Sequence, residues 1–426
     1  MENLVGRVIL EITVLGQAFE SWQALLLDPW IDLGLILLVS LVAMSDFYRR
    51  FLTSIREAPR LDGFIDGLDD SPGNLPPISV IIPAYNEAVN IEGCVKAVLA
   101  NELPADATLQ LIVADDASTD DTLAIAQSVA EIDERVEVFT TPPRPADETW
   151  RGKNWACHCA IAKATGEYIL FIDADVRVGE PAIARSRRDA KAHQSDLLSC
   201  APAIVCGCFS EWIVQPLMAS LIAVGFDFEG VNDAAKPETA LAAGPFMLFR
   251  REAYDKIGGH RTVADDPVED LALAALIKSS GLSLRYVLGL EIASVRMYRS
   301  FGDLWEGWTK NYHLGGGRNI ALTTVSALAV CLIFTMPWLG LAASIAGTLA
   351  HALTGAKAVA ALSLSAVAVS LQIALRQVAA KLIGQSPRYL WLGWLGGLLV
   401  RAIAITSIIK TETGWGWTWR GRSLSK

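Results

Sequence analysis

Long apolar runs in the last quarter of the chain restrict its fold more than any other feature. Three runs occupy residues 320–350, 356–375 and 389–409, and the first has Pro337 in its middle. A membrane-spanning helix needs about 20 apolar residues, and these runs reach that length. Hydrophobic residues make up 52% of the sequence, which also disfavours a wholly water-soluble protein. We therefore expect about three C-terminal transmembrane helices, the first divisible at Pro337 into two half-length elements.

The N-terminal region carries a further candidate anchor. Residues 3–26 have an amphipathic pattern that suits a membrane surface, and residues 30–45 form a short apolar run. Arg49 and Arg50 follow shortly after the run, which favours a cytoplasmic location for the C-terminal end of the run. Residues 1–50 are predicted to be an amphipathic or transmembrane anchor. Residues 51–76, which become acidic and rich in Gly and Pro, are predicted to be a linker.

Charge is distributed unevenly between the body of the chain and its apolar tail. Residues 318–426 hold ten Lys/Arg and one Asp/Glu, whereas residues 1–317 hold 26 Lys/Arg and 45 Asp/Glu. An acidic body disfavours nucleic acid as the partner. The basic segment 376–388 is predicted to be a cytoplasmic loop. Three spans after a cytoplasmic domain would place the C-terminus outside, but its basic end favours the inside, so both placements stay open.

Short β-branched runs alternate with helical patterns in the acidic body. The runs are residues 78–83, 109–114, 136–140 and 168–172, and helical patterns cover residues 90–100 and 121–132. This alternation predicts βαβ units and a mainly parallel sheet, hence an α/β fold class. Ligands of such sheets bind beyond the carboxyl ends of the strands. Residues that directly follow each strand are therefore the candidates for chemistry.

Polar and acidic residues follow three of these strands. They are Tyr85, Glu87, Asp115, Asp116, Asp173 and Asp175. Crowded carboxylates repel one another, and a divalent cation that also binds phosphate oxygens would compensate them. The Asp-x-Asp pair thus indicates metal–diphosphate binding. Four further acids lie within residues 265–270, before a predicted helix over 271–280; helix capping explains part of this cluster, and one acid is a candidate general base.

Six segments, in one order along the chain, closely resemble the family 2 glycosyltransferases. They are IIPAYNE (81–87), VADDASTDDT (113–122), RGKNWACHCA (151–160), LFIDADVRV (170–178), GPFMLFRREAYDKIGGH (244–260) and VEDLALAALIKSSG (268–281). The resemblance implies a GT-A fold, a Rossmann-like domain that binds a nucleotide sugar, over residues 77–312. Residues 318–411 would then be the transmembrane bundle, and residues 412–426 a basic tail.

The C-terminal part narrows this resemblance to a membrane-bound subgroup. SVRMYRSFGDLWEGWTKN (294–311), the apolar runs and WTWRGRSL (417–424) are similar to the hopene-associated and the carotenoid (chlorobactene) glycosyltransferases. The run at 153–157 is more similar to the carotenoid type. The subgroup implies a lipid acceptor in the bilayer, and an integral protein of the inner (plasma) membrane with a cytoplasmic catalytic domain.

The resemblance also assigns roles on the donor side. Asp116 would contact the nucleobase, with Asp115 beside it. Lys153 would approach the diphosphate of the nucleotide-sugar donor as a point charge. Asp173 would lie near the ribose and, together with Asp175, hold a divalent metal, Mg²⁺ or Mn²⁺.

On the acceptor side, the resemblance assigns catalysis to the pair Glu269 and Asp270. Asp270 would be the base that takes the proton of an acceptor hydroxyl in a single inverting displacement. The remaining residues assigned to substrate binding are Pro83, Tyr85, Glu87 and Trp308.

One departure from the family pattern bears on the product. Processive members carry a Gln-x-x-Arg-Trp run after the base, and the sequence has no such run there. This favours a single transfer over polysaccharide synthesis. A processive synthase, a non-catalytic glycosyltransferase-like scaffold and a transporter with a regulatory domain stay open as alternatives. The tryptophans at 305–308 and 415–419, with Arg420 and Arg422 beside the latter, are either membrane anchors or acceptor contacts.

Overall fold

The computed structural model describes residues 28–61, 76–101 and 108–424. An eight-stranded sheet lies at the centre of the described domain, and a separate two-stranded hairpin lies near the C-terminus. The strands are β1 (Ile78–Ala84), β2 (Leu109–Asp115), β3 (Val136–Thr140), β4 (Tyr168–Ile172), β5 (Val176–Val178), β6 (Leu197–Ile204), β7 (Phe246–Arg250), β8 (Leu284–Val295), β9 (Thr418–Trp419) and β10 (Arg422–Ser423). The four predicted β-branched runs match β1 to β4 within one residue. The apolar side chains of β1, β2 and β4 fill both faces of a covered sheet, whereas β3 is an only partly buried edge strand.

The large sheet is mixed: four of its seven strand pairings are parallel, as the sequence predicts, and three are antiparallel. Its strand order is β3-β2-β1-β4-β7-β6-β8-β5. β1 pairs in parallel with β2 and β4, and β2 pairs in parallel with β3. In contrast, β7 runs antiparallel to both β4 and β6, and β5 runs antiparallel to β8. The βαβ alternation before residue 172 covers only β1 to β4, so it does not predict that β7 pairs antiparallel with β4.

Helices cover the sheet and extend beyond it. They are α1 (Pro29–Glu57), α2 (Ile91–Leu99), α3 (Thr122–Ala130), α4 (Gly152–Ile161), α5 (Ala182–Ala192), α6 (Phe209–Gly225), α7 (Phe228–Asn232), α8 (Arg251–Lys256), α9 (Gly259–Thr262), α10 (Glu269–Ser279), α11 (Phe301–Gly315), α12 (Ile320–Val330), α13 (Met336–Leu349), α14 (Gly355–Leu382) and α15 (Gly393–Thr413). A π-helical turn (Cys331–Thr335) joins α12 to α13, and a 3₁₀ turn (Leu390–Leu392) precedes α15.

Four long helical segments in the described residues are apolar enough to cross a membrane. Pro29–Glu57, Ile320–Leu349, Gly355–Leu382 and Leu390–Thr413 have 29, 30, 28 and 24 residues. At about 1.5 Å per residue each exceeds the ~30 Å hydrocarbon core of a bilayer. Large apolar side chains remain exposed on all four, which is the surface that lipid would cover. The helices therefore indicate membrane association.

The expected break at Pro337 does not occur. The helix continues from Ile320 to Leu349 through the π-helical turn, and Pro337 lies in the first turn of α13 directly after it. A proline removes one backbone donor, and a local change to wider helical turns accommodates that loss without a break.

Two predicted loop boundaries lie inside helices. α1 extends to Glu57, so the first residues assigned to the linker are helical; residues 3–26 and 62–75 lie outside the described residues. The predicted cytoplasmic loop 376–388 begins inside α14, where Arg376 is buried and donates to the carbonyl of Trp212 at 3.3 Å. Arg376 and Lys381 thus lie in the last turns of α14, whereas Arg388 lies in the loop that follows.

The last long helix runs alongside the sheet domain instead of away from it. Near its start, Gly396 lies directly against the backbone of Ile213 in α6. Near its end, the Ser407 hydroxyl accepts a hydrogen bond from the backbone N–H of His313 at 3.0 Å, and Lys410 Nζ lies 3.4 Å from Thr309 Oγ1. α15 therefore packs against α6 near its start and against α11 near its end.

Candidate active site

A crevice of about 570 Å³ opens at the carboxyl ends of β1, β2 and β4. These strands are parallel neighbours, and the register pairs Ala84 with Asp115, so the residues after each strand meet at one edge. Nine of the eleven residues assigned from the sequence line this crevice. They are Pro83, Tyr85, Glu87, Asp116, Lys153, Asp173, Asp175, Glu269 and Asp270.

The structure does not bring Asp115 and Trp308 into the crevice lining. Asp115 is buried as the last residue of β2, and its carboxylate accepts the backbone N–H of Ser118 at 3.2 Å. Trp308 is buried in α11, where its indole N–H donates to Gln215 Oε1 at 2.7 Å. Residues adjacent to a site in sequence can point away from it, since a helix or strand turns successive side chains to different faces.

Hydrogen bonds join the start of α4 to the loop before α10. The Asn154 amide donates to the carbonyls of Val263, Ala264 and Asp266 at 2.6, 3.2 and 3.0 Å. The backbone N–H of Arg151 also donates to Ala264 at 2.8 Å. These bonds join two segments that are more than 100 residues apart in sequence. Lys153 lies between Arg151 and Asn154, so the same bonds hold it against the first turn of α10.

Lys153 lies between two carboxylates. Its Nζ atom is 2.6 Å from Asp173 Oδ1 and 2.7 Å from Glu269 Oε1. Burial by itself would lower the pKa of Lys153, but the two carboxylates raise it well above the usual value. Burial would raise the pKa of Glu269, and Lys153 and then Lys310 lower it instead. The ammonium and the Glu269 carboxylate are therefore a charged pair at neutral pH.

Asp270 has a different electrostatic environment. Its Oδ2 atom accepts the backbone N–H of Gly244 at 2.9 Å, and its Oδ1 atom accepts its neighbour Leu271 N–H at 2.9 Å. Burial and the charge of Glu269 raise the pKa of Asp270 to about 6. A Cβ atom at position 244 would approach Asp270 Oδ2 to 2.8 Å, so this contact needs glycine. Two adjacent acids thus have separated pKa values, which is typical of an acid–base site.

The Asp-x-Asp pair fits a divalent cation by one structural test. The buried Oδ1 atom of Asp175 has no hydrogen-bond partner. Burial, with the charges of Asp173 and Glu87, raises the pKa of Asp175 to about 8, because Arg420 and Lys153 compensate the charge of its carboxylate only in part. No group of three or more His, Cys, Asp or Glu side chains within the described ranges could hold a metal alone. The donor set is therefore suited to a cation that also takes phosphate oxygens.

Comparison with known proteins identifies the family of the sheet domain. Residues 79–258 match the model of Glycosyl transferase family 2. This part of the chain is a family 2 glycosyltransferase domain. Among curated proteins, this glycosyltransferase is 30% identical over 244 residues to the 4,4'-diaponeurosporenoate glycosyltransferase of Staphylococcus aureus (strain MRSA252). The match covers 56% of the chain and 62% of that relative's length.

Two solved structures are distantly similar to the chain. The mannosyltransferase PcManGT from Pyrobaculum calidifontis, in complex with GDP-Man and Mn²⁺, has a TM-score of 0.48 and 19% identity, over 90% of this glycosyltransferase and 99% of that chain. TarS 1-349 of S. aureus, in complex with UDP-GlcNAc, has a TM-score of 0.36 and 14% identity, over 79% and 92% of the two chains. The strand order and the family match together give the glycosyltransferase a GT-A-like mixed α/β domain, with four long apolar helices.

Sequence reasoning missed the contribution of the C-terminus to the crevice. Arg420 and Arg422 line the crevice, together with Trp419 and Arg144. The Arg144 side chain pairs with Asp116 at 2.5 Å. The aromatic and basic run at 417–422 could have indicated this contribution. Because the run is far from the acidic motifs in sequence, it was interpreted only as a membrane anchor or an acceptor contact.

Proposed function

We propose that this family member is an inverting glycosyltransferase that moves a hexose from a nucleotide sugar to a hydroxyl of a membrane lipid, in a single transfer. The acceptor is of carotenoid, hopanoid or glycerolipid type. In this proposal residues 77–312 form the catalytic domain on the cytoplasmic side of the inner (plasma) membrane. Helices α1 and α12 to α15 anchor that domain.

The observation that carries the proposal is the grouping of two acidic sites around one lysine. Asp173 of the Asp-x-Asp pair and Glu269 of the α10 pair both contact Lys153, and Asp270 adjoins Glu269 in the same crevice. The first site suits a nucleotide diphosphate and the second suits an acceptor proton. A scaffold without activity would not need an acid whose pKa lies near 6 beside a second acid of low pKa.

On the donor side, the chain's own residues bind and orient the nucleotide. Asp116 and Tyr85 line the crevice after β2 and β1, where a base with N–H donors would bind, and Arg422 contacts both of them. Lys153 places a positive charge beside the diphosphate. When bound at Asp175, Mg²⁺ or Mn²⁺ would add charge that stabilises the leaving diphosphate.

On the acceptor side, Asp270 receives the proton. The acceptor oxygen forms a bond to the anomeric carbon while the bond from that carbon to the diphosphate oxygen breaks. The hydroxyl proton moves to the Asp270 carboxylate, whose orientation is fixed by the N–H groups of Gly244 and Leu271. One in-line displacement inverts the anomeric centre, so no covalent enzyme intermediate is needed.

The rate is expected to rise with pH through about 6. Burial and Glu269 raise the pKa of Asp270 to about 6, and only the ionised carboxylate accepts a proton. Lys153 and Lys310 also face this group and oppose the shift. Below pH 5 the rate should fall about tenfold per pH unit, and above pH 7 ionisation of Asp270 should no longer change the rate. A pH profile of kcat with the protein in lipid nanodiscs measures this, and a flat profile between pH 5 and 7 would exclude Asp270 as the base.

Lipid profiling of a host strain tests the acceptor class. A deletion strain and a strain with Asp270→Asn should both lose one glycosylated lipid and accumulate its unglycosylated form. A strain with Asp303→Asn, an exposed acid in α11, is the matched control and should keep the glycosylated lipid. An unchanged lipid profile with less surface polysaccharide would instead support the processive synthase.

A carboxylate acceptor is a second candidate, favoured by the name of the curated relative. The S. aureus protein is named for 4,4'-diaponeurosporenoate, and an -oate is a carboxylate. An ionised carboxylate is already a nucleophile and needs no base. The two candidates therefore differ in how strongly the reaction depends on Asp270.

A further inference from the structure

The residues after the last long helix form a small hairpin that is folded onto the crevice. We define residues 417–424 as the C-terminal hairpin: β9 and β10 pair antiparallel, and Leu424 N–H donates to the Trp417 carbonyl at 2.8 Å. Arg420 and Gly421 form its two-residue turn, with φ of 49° and 76°. Such turns need positive φ at both positions, which glycine adopts freely and arginine rarely. Position 420 thus keeps a long cationic side chain despite backbone strain.

Contacts with α11 hold the C-terminal hairpin in place. Glu306 accepts the Thr418 hydroxyl at 2.5 Å and the backbone N–H of Arg420 at 3.0 Å. The Lys310 ammonium lies 5.0 Å from the centre of the Trp419 ring, within the range of a cation–π interaction. The hairpin is therefore docked on the domain in a defined position, and its turn faces the crevice.

The two arginines contact the donor half of the crevice. Arg420 pairs with Glu87 at 2.5 Å and donates to the Tyr85 carbonyl at 2.8 Å. Arg422 pairs with the Asp116 carboxylate, donates to its carbonyl at 2.9 Å, and lies 3.4 Å from the centre of the Tyr85 ring. Both guanidinium groups thus contact residues that follow β1 and β2.

The excess of acidic residues in the crevice means that a bound diphosphate needs cations such as Arg420 and Arg422 near it. A nucleoside diphosphate brings at least two negative charges into a crevice already lined by seven acids, which are Glu87, Asp116, Asp173, Asp175, Asp266, Glu269 and Asp270. Lys153 is already shared by two of these acids. Arg420 is the cation that the C-terminal hairpin adds next to Glu87, and a planar guanidinium is well suited to bind two phosphate oxygens at once.

We propose that the C-terminal hairpin is part of the donor site, with Arg420 binding the diphosphate of the nucleotide sugar. This rests on the proposed function and deepens it. Arg420 exchanges its contact with Glu87 for phosphate oxygens when the donor binds. Arg422 is a positioning residue that keeps Asp116 and Tyr85 oriented toward the base. The donor site is then completed by a segment that lies more than 300 residues after Tyr85 and Asp116, the residues that it contacts.

Nucleotide binding by the full-length protein in lipid nanodiscs tests the proposal. Isothermal titration with UDP and with GDP, each with Mn²⁺, should show binding of at least one. Arg420→Gln should lower the affinity for that diphosphate by about 10- to 100-fold, as expected for loss of a charge-assisted hydrogen bond. The same variant should change affinity for the corresponding nucleoside, uridine or guanosine, by less than about threefold, because the nucleoside has no phosphate.

Two further variants keep the test interpretable. Arg318→Gln removes an exposed arginine that pairs with Glu412 outside the crevice, and it should leave both affinities unchanged. Arg420→Lys keeps the charge and loses the planar fork, so it should bind the diphosphate with intermediate affinity. This variant replaces Arg420→Gln if thermal melting shows that the latter does not fold.

The outcomes separate the proposal from the function on which it rests. Equal diphosphate affinity of the wild type, Arg420→Gln and Arg420→Lys would overturn the role of Arg420 and leave the proposed function intact. Tighter binding by Arg420→Gln would also overturn it, because the hairpin would then be a plug that competes with the donor. Failure of the wild type to bind either diphosphate would overturn the proposed function and this proposal together.

Discussion

Asp270→Asn is expected to lower kcat by about 10²- to 10⁴-fold while the protein stays folded and binds the donor. Asn keeps the shape of the side chain and can still accept from Gly244 N–H, but it cannot take the acceptor proton. Single-turnover transfer from a radiolabelled nucleotide sugar to extracted lipid, in nanodiscs, measures the loss. Donor affinity, measured by titration, should change by less than about threefold, since Asp270 contacts no group assigned to the donor.

The size of this loss separates the two candidate acceptors. A hydroxyl acceptor depends on the base, so the full loss is expected. With a carboxylate acceptor the loss should stay below about tenfold, because the nucleophile is already ionised. Asp303→Asn, in the exposed first turn of α11, is the control for a change of one charge and should retain full activity.

Asp175→Asn should remove the dependence of nucleotide binding on a divalent cation. Its buried Oδ1 atom has no other partner, so the carboxylate charge is the feature that a cation would use. Loss of residues that only support metal ligands costs about 10- to 100-fold in affinity, and loss of a ligand should cost more than about 100-fold. Titration of UDP and GDP with and without Mn²⁺ measures the effect without any need for turnover.

Controls for this prediction lie in the same domain. Asp121→Asn changes an exposed acid before α3 that makes no capping hydrogen bond, and it should leave the Mn²⁺ dependence intact. Equal Mn²⁺ dependence in wild type and Asp175→Asn would show that the cation, if one binds, is held elsewhere. The melting temperature should rise or stay level in Asp175→Asn, because burial of an only partly compensated carboxylate is unfavourable.

Local sequence signals predicted the half of the fold that holds the donor motifs. The apolar β-branched runs could be assigned because β1, β2 and β4 are buried on both faces, and Asp173 and Asp175 follow their strand directly. The antiparallel β7 could not be assigned from such signals, because strand direction depends on the long connection through α6 and α7. The ends of α1 and α14 were also missed, since polar residues continue a helix where the domain packs on it.

Which side chains reach the candidate site could not be predicted fully from the sequence, because side-chain direction depends on packing. Trp308 faces Gln215 because α6 packs against α11, and no pattern within residues 294–311 contains that information. Arg420 and Arg422 reach Glu87 and Asp116 only because α15 returns along the domain. Contacts of this kind depend on how distant elements pack, so they follow from the three-dimensional structure and not from local spacing.

The position of the C-terminal hairpin also has a consequence for biosynthesis. A ribosome makes the hairpin only after it has made all four apolar helices, yet the hairpin supplies two cations to the crevice. Under the proposal that Arg420 binds the donor, a nascent chain whose last helix has not left the ribosome has an incomplete donor site. We expect such a chain to leave nucleotide sugar untouched in the cell, so that sugar transfer begins only when membrane insertion is finished.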